Sequence, residues 1–247
     1  MATQPIFVLT GAGISAESGI QTFRGGTGLW EGHRVEDVAS PAGFQRDPEL
    51  VFEFYNVRRE KIRGAEPNAA HLALARLERE FPSTVTVVTQ NIDDLHERAG
   101  SRNVIHMHGE AMKARCQKCE AVAVWENNLN GTSVCPECRA SGSLRPHIVW
   151  FGETPLFMEE IYLALSQAGL FISIGTSGQV YPAAGFAEAA SRHGIRTMEV
   201  NPDSTAISPH FDEHLRGPAG QKVTEWVESL LALHSSPPPA RQGVRAT

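Results

Sequence analysis

Cysteine is scarce: four in 247 residues, confined to Cys116-Gln-Lys-Cys119 and Cys135-Pro-Glu-Cys138. So few exclude a disulfide-dense scaffold, and in a chain with no visible leader the paired spacing favours metal over disulfides. Long apolar runs are missing too. The opening run, residues 6–9, is far too short for a membrane span or a signal-peptide core. The expectation is a cytoplasmic protein with no membrane partner. Positive charge is not in excess, since 22 Lys and Arg stand against 28 Asp and Glu, a net charge of −6. With aromatic residues at only 7% and no basic aromatic stripe, nucleic acid is not an expected partner. What is present is ordinary: 41% hydrophobic and 20% charged residues, enough for one good-sized core with a small module attached.

Short continuous apolar runs at 6–9, 85–88, 104–106, 170–174 and 196–200 read as buried parallel strands. Helical patterns at 71–81, 158–168 and 183–193 alternate with them. The alternation predicts an α/β fold, a Rossmann-like doubly wound parallel sheet. Two stretches interrupt it. Residues 25–67 hold no second strand but a Gly-rich turn and a helix over 50–63. Residues 113–145 hold all four cysteines, with strand-like pieces at 112–115 and 121–124. The expected organisation is a Rossmann-like nucleotide-binding domain from 1–24, 66–111 and 146–234. A small domain combines a helical insertion, 25–65, with a zinc ribbon, 112–145, and residues 235–247 form a disordered tail.

Two Cys-x-x-Cys knuckles sixteen positions apart suit one tetrahedral Zn²⁺ held by Cys116, Cys119, Cys135 and Cys138. Four sulfur ligands leave no open position, so the metal is expected to be structural. A redox pair or simply buried thiols would be the bland alternative.

Gly11-Ala12-Gly13-Ile14-Ser15-Ala16 follows the first strand and fits the G-x-G-x-x-G/A phosphate-binding turn. A tight turn with no ligand would read the same. A dehydrogenase-like site also needs an acidic ribose contact about twenty residues on, and here Glu31, Glu36 and Asp37 fall in the insertion. The nucleotide is therefore expected to be held differently. Polar groups follow later strands as well: Thr89-Gln90-Asn91-Ile92-Asp93, Gly175-Thr176-Ser177, and Asn201 with Asp203. Three such clusters at successive strand ends point to a cofactor crevice. His106 and His108 end the third strand, where a histidine is as readily structural as catalytic; beside such a crevice a neutral imidazole could act as a base. Tyr55 and Arg58, three apart, share one face of the inserted helix, where they could read a carboxylate or simply meet solvent.

The stretch from Gly11 to Ile20, then Thr22-Phe23-Arg24, Gln90 to Asp93, His108-Gly109, the cysteine pairs and Gly175-Thr176-Ser177 closely resemble the sirtuins. The resemblance runs from about Ile6 to Leu231 and is nearest to the bacterial class III branch, which removes both acetyl and succinyl groups. It implies an NAD-dependent protein lysine deacylase that yields nicotinamide, O-acyl-ADP-ribose and free lysine. NAD and acyl-lysine would enter a cleft between a Rossmann domain and a zinc ribbon holding one structural Zn²⁺.

By motif, Gly11, Ala12, Gly13, Ser15, Ala16, Gly19, Ile20, Thr22, Phe23, Arg24 and Trp30 would line the NAD site. Gln90, Asn91, Ile92 and Asp93 would contact nicotinamide and its ribose, and Gly175, Thr176, Ser177, Asn201, Pro202, Asp203 and Ala219 the adenosine half. His108 would be the general base, with Asn91 and Asp93 ordering water and carboxamide. Tyr55 and Arg58 match the mark of desuccinylase-type sirtuins. Val149, Phe151, Gly152, Glu153, Val180 and Tyr181 resemble the segments between which a substrate peptide adds as a strand. The expected partners are acyl-lysine-bearing proteins, met by a monomer. A mono-ADP-ribosyltransferase is the alternative within enzymes. A non-catalytic zinc-ribbon or NAD-sensing binding protein is the alternative outside them.

Overall fold

Residues that are apolar on both sides of an extended chain can only be buried if both sheet faces are covered. In the computed structural model, which describes residues 3–22 and 29–235, the runs at 6–9 and 85–88 are buried throughout, those at 170–174 and 196–200 in all but their first residue, and the run at 104–106 in part. In chain order the strands are β1 (Ile6–Thr10), β2 (Leu29–Trp30), β3 (His33–Arg34), β4 (Val85–Thr89), β5 (Val104–His106), β6 (Gly109–Cys116), β7 (Val122–Val124), β8 (Leu144–Ile148), β9 (Leu170–Ile174), β10 (Arg196–Val200) and β11 (Glu213–Leu215). The helices are α1 (Val35–Val38), α2 (Pro41–Arg46), α3 (Pro48–Gly64), α4 (Ala69–Glu80), α5 (Leu95–Ala99), α6 (Met158–Gln167), α7 (Gly185–Arg192) and α8 (Ala219–Ser235). No helix among the described residues is long and apolar enough to cross a membrane.

The main sheet has the order β11-β10-β9-β1-β4-β5 and is parallel throughout. Counted along the chain this is the doubly wound order 3-2-1-4-5-6, in which the direction of winding reverses beside the first strand. Alternate residues of β1 serve opposite layers. Ile6 and Val8 join Leu74, Leu77, Val223 and Val227 on the α4 and α8 side. Phe7 and Leu9 join Ile161, Phe171 and Phe186 on the α6 and α7 side.

Several elements escape the sequence reading, β11 and α8 among them. Strand β11, Glu-His-Leu, is a half-exposed edge of three residues with no apolar run to reveal it. Helix α8 places Val223, Val227 and Leu231 on one buried stripe at i, i+4 and i+8. It runs through Ser235, the first residue of the expected disordered tail; residues 236–247 lie outside the described residues. After Gly11 the chain forms a 3₁₀ turn, Ala12–Ser18, where a helix was expected.

The helical insertion contributes no strand to the main sheet, as expected, although it contains the two-residue ribbon β2–β3. Helix α3 begins two residues earlier than the apolar pattern suggests. Asp47 accepts from the Leu50 N–H, and Pro48 occupies the first turn, where a missing N–H costs nothing. The cysteine-bearing segment forms an antiparallel sheet, β7-β6-β8, that reaches three residues beyond the expected limits on each side.

One buried pair sets a pH limit on this fold. His71 on α4 and His96 on α5 meet edge to face with ring centroids 4.9 Å apart, both inaccessible to water. Burial holds the His71 pKa down to about 4 and depresses His96 as well. An unfolded histidine takes a proton below about 6.5 that the native ring refuses. The stabilisation is therefore complete above pH 6.5 and is lost as pH falls towards 4. For His71 it amounts to about 3 kcal/mol at 1.36 kcal/mol per unit. Urea midpoints should fall steeply between pH 7 and 5. His71→Gln, which keeps a side chain able to reach the Asn68 N–H, should flatten that slope; an equal slope would show that His71 does not set it.

Candidate active site

The first and fourth strands of the winding end side by side, and each is followed by a glycine loop. Gly13 N–H donates to the Gly175 carbonyl at 2.8 Å. A Cβ on Gly13 would stand 2.6 Å from the Gly175 Cα, and Gly175 itself sits at φ +63° with the Ile14 nitrogen in the way of any side chain. Only bare backbone fits here. The result is a main-chain floor at the switch point, where a pyrophosphate can approach closely.

After β4 the side chains lock together. Asn91 Nδ2 donates to Ser15 Oγ at 3.1 Å and to the Gly11 carbonyl at 3.2 Å, and Ser15 Oγ donates to Asp93 Oδ2 at 3.0 Å. Burial raises the Asp93 pKa, opposed by the Ser15 hydroxyl and the Leu95 N–H. Ser15 thus couples the glycine loop to Asn91 and Asp93.

The two histidines of β5 and its end are biased in opposite directions. His106 has an acceptor near each nitrogen, the Asn91 carbonyl at 3.3 Å and Glu97 at 2.7 Å, an arrangement that favours the doubly protonated ring. Burial opposes that charge, but Glu97 outweighs it and the pKa is raised. His108 has its Nδ1 3.1 Å from the Gln90 carbonyl. A carbonyl only accepts, so Nδ1 holds the proton and Nε2 is the basic nitrogen. Burial lowers the His108 pKa, with the Gln90 carbonyl opposing. The surroundings of His106 favour its charged form, and those of His108 its neutral form.

The glycine loops, Ser15, Gln90, Asn91, Asp93 and His108 border one cavity of about 950 Å³; His106 and Glu97 stand outside its lining. Every sequence-predicted catalytic, cofactor and substrate residue among the described residues lines it, with one exception. Gly19 instead closes the 3₁₀ turn, at φ +83° with its N–H on the Ala16 carbonyl. Phe23 and Arg24 lie outside the described residues. Sequence reasoning missed Ser204 and Thr205, which also line the cavity, together with Glu17 and Trp150 from within the expected stretches. Glu17 accepts from the Gly220 N–H at the start of α8. The 201–206 loop is held from behind by buried Glu199, which binds Ser208, Thr205 and Arg216; Arg216 in turn donates to the Asp203 carbonyl.

Helix α3 supplies the far wall. Tyr55 is buried, and its oxygen accepts from the Trp150 indole N–H at 3.0 Å, leaving the phenol proton to donate. Burial pushes the phenol pKa well up, so it stays protonated. Arg58 is equally enclosed. Its guanidinium lies 4.2 Å over the Trp30 ring and 2.8 Å from Glu31, while its Nε finds no partner among the described residues. Glu153 lines the cavity too, but its carboxylate is engaged by Arg145 at 2.6 and 2.9 Å and by the Trp150 N–H. The N–H groups of Val149, Phe151 and Glu153 are bonded internally, to His108, Ala39 and Trp150. An added strand along this segment would therefore rely on its carbonyls and the Gly152 N–H. Phe151 and Tyr181 stand exposed at the mouth.

The four thiols form a separate centre. Both knuckles have the same backbone: the residue after the second cysteine, Glu120 or Arg139, turns left-handed and bonds back to the carbonyl of Cys116 or Cys135. The Sγ atoms of Cys116 and Cys138, and of Cys119 and Cys135, are 3.7 Å apart, and all four lie within 4.8 Å of one another. A tetrahedron with Zn–S bonds of about 2.3 Å has edges of about 3.8 Å. The cluster fits one structural zinc with all four positions taken.

The Sir2 family model matches residues 11–182. A Vibrio cholerae protein named NAD-dependent protein deacylase is 56% identical over 93% of this chain and 94% of its own. Among solved structures, a Sir2 homologue in complex with ADP-ribose has a TM-score of 0.86 and 41% identity over 95% of each chain. A Sir2 homologue bound to NAD has a TM-score of 0.84 and 42% identity, over 94% of this chain and 91% of the other. The doubly wound sheet, the back-to-back glycine loops and the cysteine cluster thus occur in a chain that belongs to the Sir2 family.

Proposed function

We propose that the chain removes acyl groups from protein lysines with NAD as co-substrate, and that it takes acidic acyl groups such as succinyl and malonyl alongside acetyl. The observation that carries the first part is His108, a neutral ring held by one nitrogen and bordering the same cavity as the glycine loops. Solved relatives holding NAD and ADP-ribose support the same occupant here. Bound NAD supplies an electrophilic ribose carbon with nicotinamide as leaving group. Gly11, Gly13 and Gly175 admit the pyrophosphate, while Thr176, Ser177, Asn201 and Ala219 border the adenosine half. Asn91 and Asp93, fixed through Ser15, orient the carboxamide and the incoming water. His108 Nε2 accepts the proton of the hydroxyl that attacks the acyl carbon.

In this reading residues 1–24, 66–111 and 146–234 bind the nucleotide. Residues 25–65 and 112–145 supply the acyl wall and its zinc scaffold. Thiolates available to a metal suit a reducing compartment such as the cytoplasm.

The acidic-acyl part rests on Tyr55 and Arg58. Both border the cavity, and among the described residues each has a donor with no acceptor: the phenol proton and the Arg58 Nε–H. A charge-assisted pair to a substrate carboxylate is worth about 1.5–3 kcal/mol, which corresponds to a preference of about 10- to 150-fold. Replacing Arg58 by Met should lower the kcat/KM of desuccinylation by that factor while deacetylation falls far less. Equal losses on both substrates would refute the pocket assignment.

A further inference from the structure

The carboxylate that meets Arg58 here comes from the chain itself. Glu31 occupies the first position of the two-residue loop joining β2 to β3, followed by Gly32, with φ of +50° and +85°. Such loops favour Asn, Asp or Gly at that first position, and a glutamate departs from the rule. Its side chain has a definite task. Oε1 accepts from Arg58 Nη1 at 2.8 Å and Oε2 from Lys61 Nζ at 2.8 Å. Arg58 and Glu31 are almost fully enclosed, with 6% and 11% of their side chains exposed, whereas Lys61 is 51% exposed. Arg58 and Trp30 border the cavity and Glu31 does not, so the carboxylate stands behind the guanidinium. The charges form a row from cavity to solvent: cation, anion, cation.

We propose that Glu31 is a specificity-determining residue that attenuates the positive charge Arg58 presents to the acyl pocket. The inference rests on reading Arg58 as the carboxylate contact of the acyl group. A buried guanidinium without a counter-charge strongly favours an anion and penalises a neutral ligand that leaves it unpaired. Glu31 supplies that counter-charge in advance, which keeps neutral acetyl admissible beside succinyl. Lys61 draws part of the Glu31 charge towards solvent and so restores some of the attraction for acidic groups. Of the other charged groups, Asp93 also acts on Arg58 through space, but more weakly than Glu31.

Loss of Glu31 and loss of Lys61 should therefore shift selectivity in opposite directions. The probes are fluorescein-labelled succinyl-lysine and acetyl-lysine peptides of one sequence, titrated by anisotropy without NAD and then assayed for kcat/KM with it. Glu31→Gln keeps a hydrogen-bond acceptor while removing the charge. It should raise the succinyl-to-acetyl affinity ratio by about fivefold or more. Lys61→Met, at an exposed position where folding is not at risk, should lower the same ratio. A ratio that is unchanged or falls in Glu31→Gln, or that rises in Lys61→Met, overturns the proposal. Arg58→Met separates the layers: no change in ratio would sink the acyl-carboxylate reading itself. A collapse in Arg58→Met with no response in the other two variants would sink only the role of Glu31.

Discussion

Replacing His108 by Tyr is expected to lower deacylation by about 10²- to 10⁴-fold, the range attributable to a lost general base, while NAD binding stays measurable. The reason is local. The His108 ring is held by one bond, from Nδ1–H to the Gln90 carbonyl, and Nε2 alone is basic. A phenol at this position has no basic nitrogen, so nothing accepts the hydroxyl proton at neutral pH. The wild-type pH profile should carry the same signature. Burial depresses the His108 pKa, and the base therefore remains unprotonated below pH 6.5. The acid limb of kcat/KM should fall with a midpoint under 6.5 and vanish in any residual activity of the variant. Single-turnover assays and NAD titration by calorimetry separate the two effects. Near-normal turnover with Tyr at this position would remove His108 from the chemistry.

Removing the zinc is expected to damage the acyl pocket, although no cysteine lines the cavity. Zinc held by four thiolates stabilises a small module by an apparent ~10–16 kcal/mol, far more than the core of that module can replace. Its apolar cluster contains Cys116 and Cys135 themselves, with Leu129, Leu144 and Phe52 from α3. Asn56 on α3 holds both the N–H and the carbonyl of Leu129, and Arg59 donates to the Asn127 carbonyl at 2.6 Å. Helix α3 is thus fastened to the module on the residues flanking Tyr55 and Arg58. Cys135→Ser, or chelation followed by elemental analysis, should abolish amide protection over residues 109–148 and loosen α3. Desuccinylation should then fall with it, while amides of the parallel sheet remain protected. Unchanged protection and activity after complete loss of zinc would show that the thiol cluster holds without metal.

What the sequence made legible follows from how far each signal reaches along the chain. Strands β1, β4, β5, β9 and β10 announce themselves because burial on both faces makes most of their residues apolar or small, with His106, Arg196 and Glu199 as exceptions. The glycine loops are readable because a side chain at Gly13 would strike Gly175, a constraint that survives in residue type. Partners brought together from distant segments leave no such trace. Trp150 and Tyr55 share a hydrogen bond across 95 positions, and Trp150 carried no mark beyond its neighbour Val149. Glu31 looked like one acidic residue in an insertion; only the folded hairpin brings it against Arg58. Gly19 illustrates the converse. It belongs to the glycine-rich motif yet serves the turn and not the cavity, since motif membership does not say which way a backbone faces.

The bond between Glu17 and Gly220 spans 203 positions, and β1 pairs with β9 more than 160 residues downstream. The glycine loop is therefore synthesised well before the segments that form its walls. A ribosome-bound chain that has not yet released α8 lacks the Glu17 clasp, and one stalled before β9 has no floor beneath Gly13. A nucleotide site with all its walls thus requires β9 and α8 to have been synthesised. Truncation at the carboxyl end should register at the amino-terminal loop before it disturbs the cysteine module, whose own contacts are local.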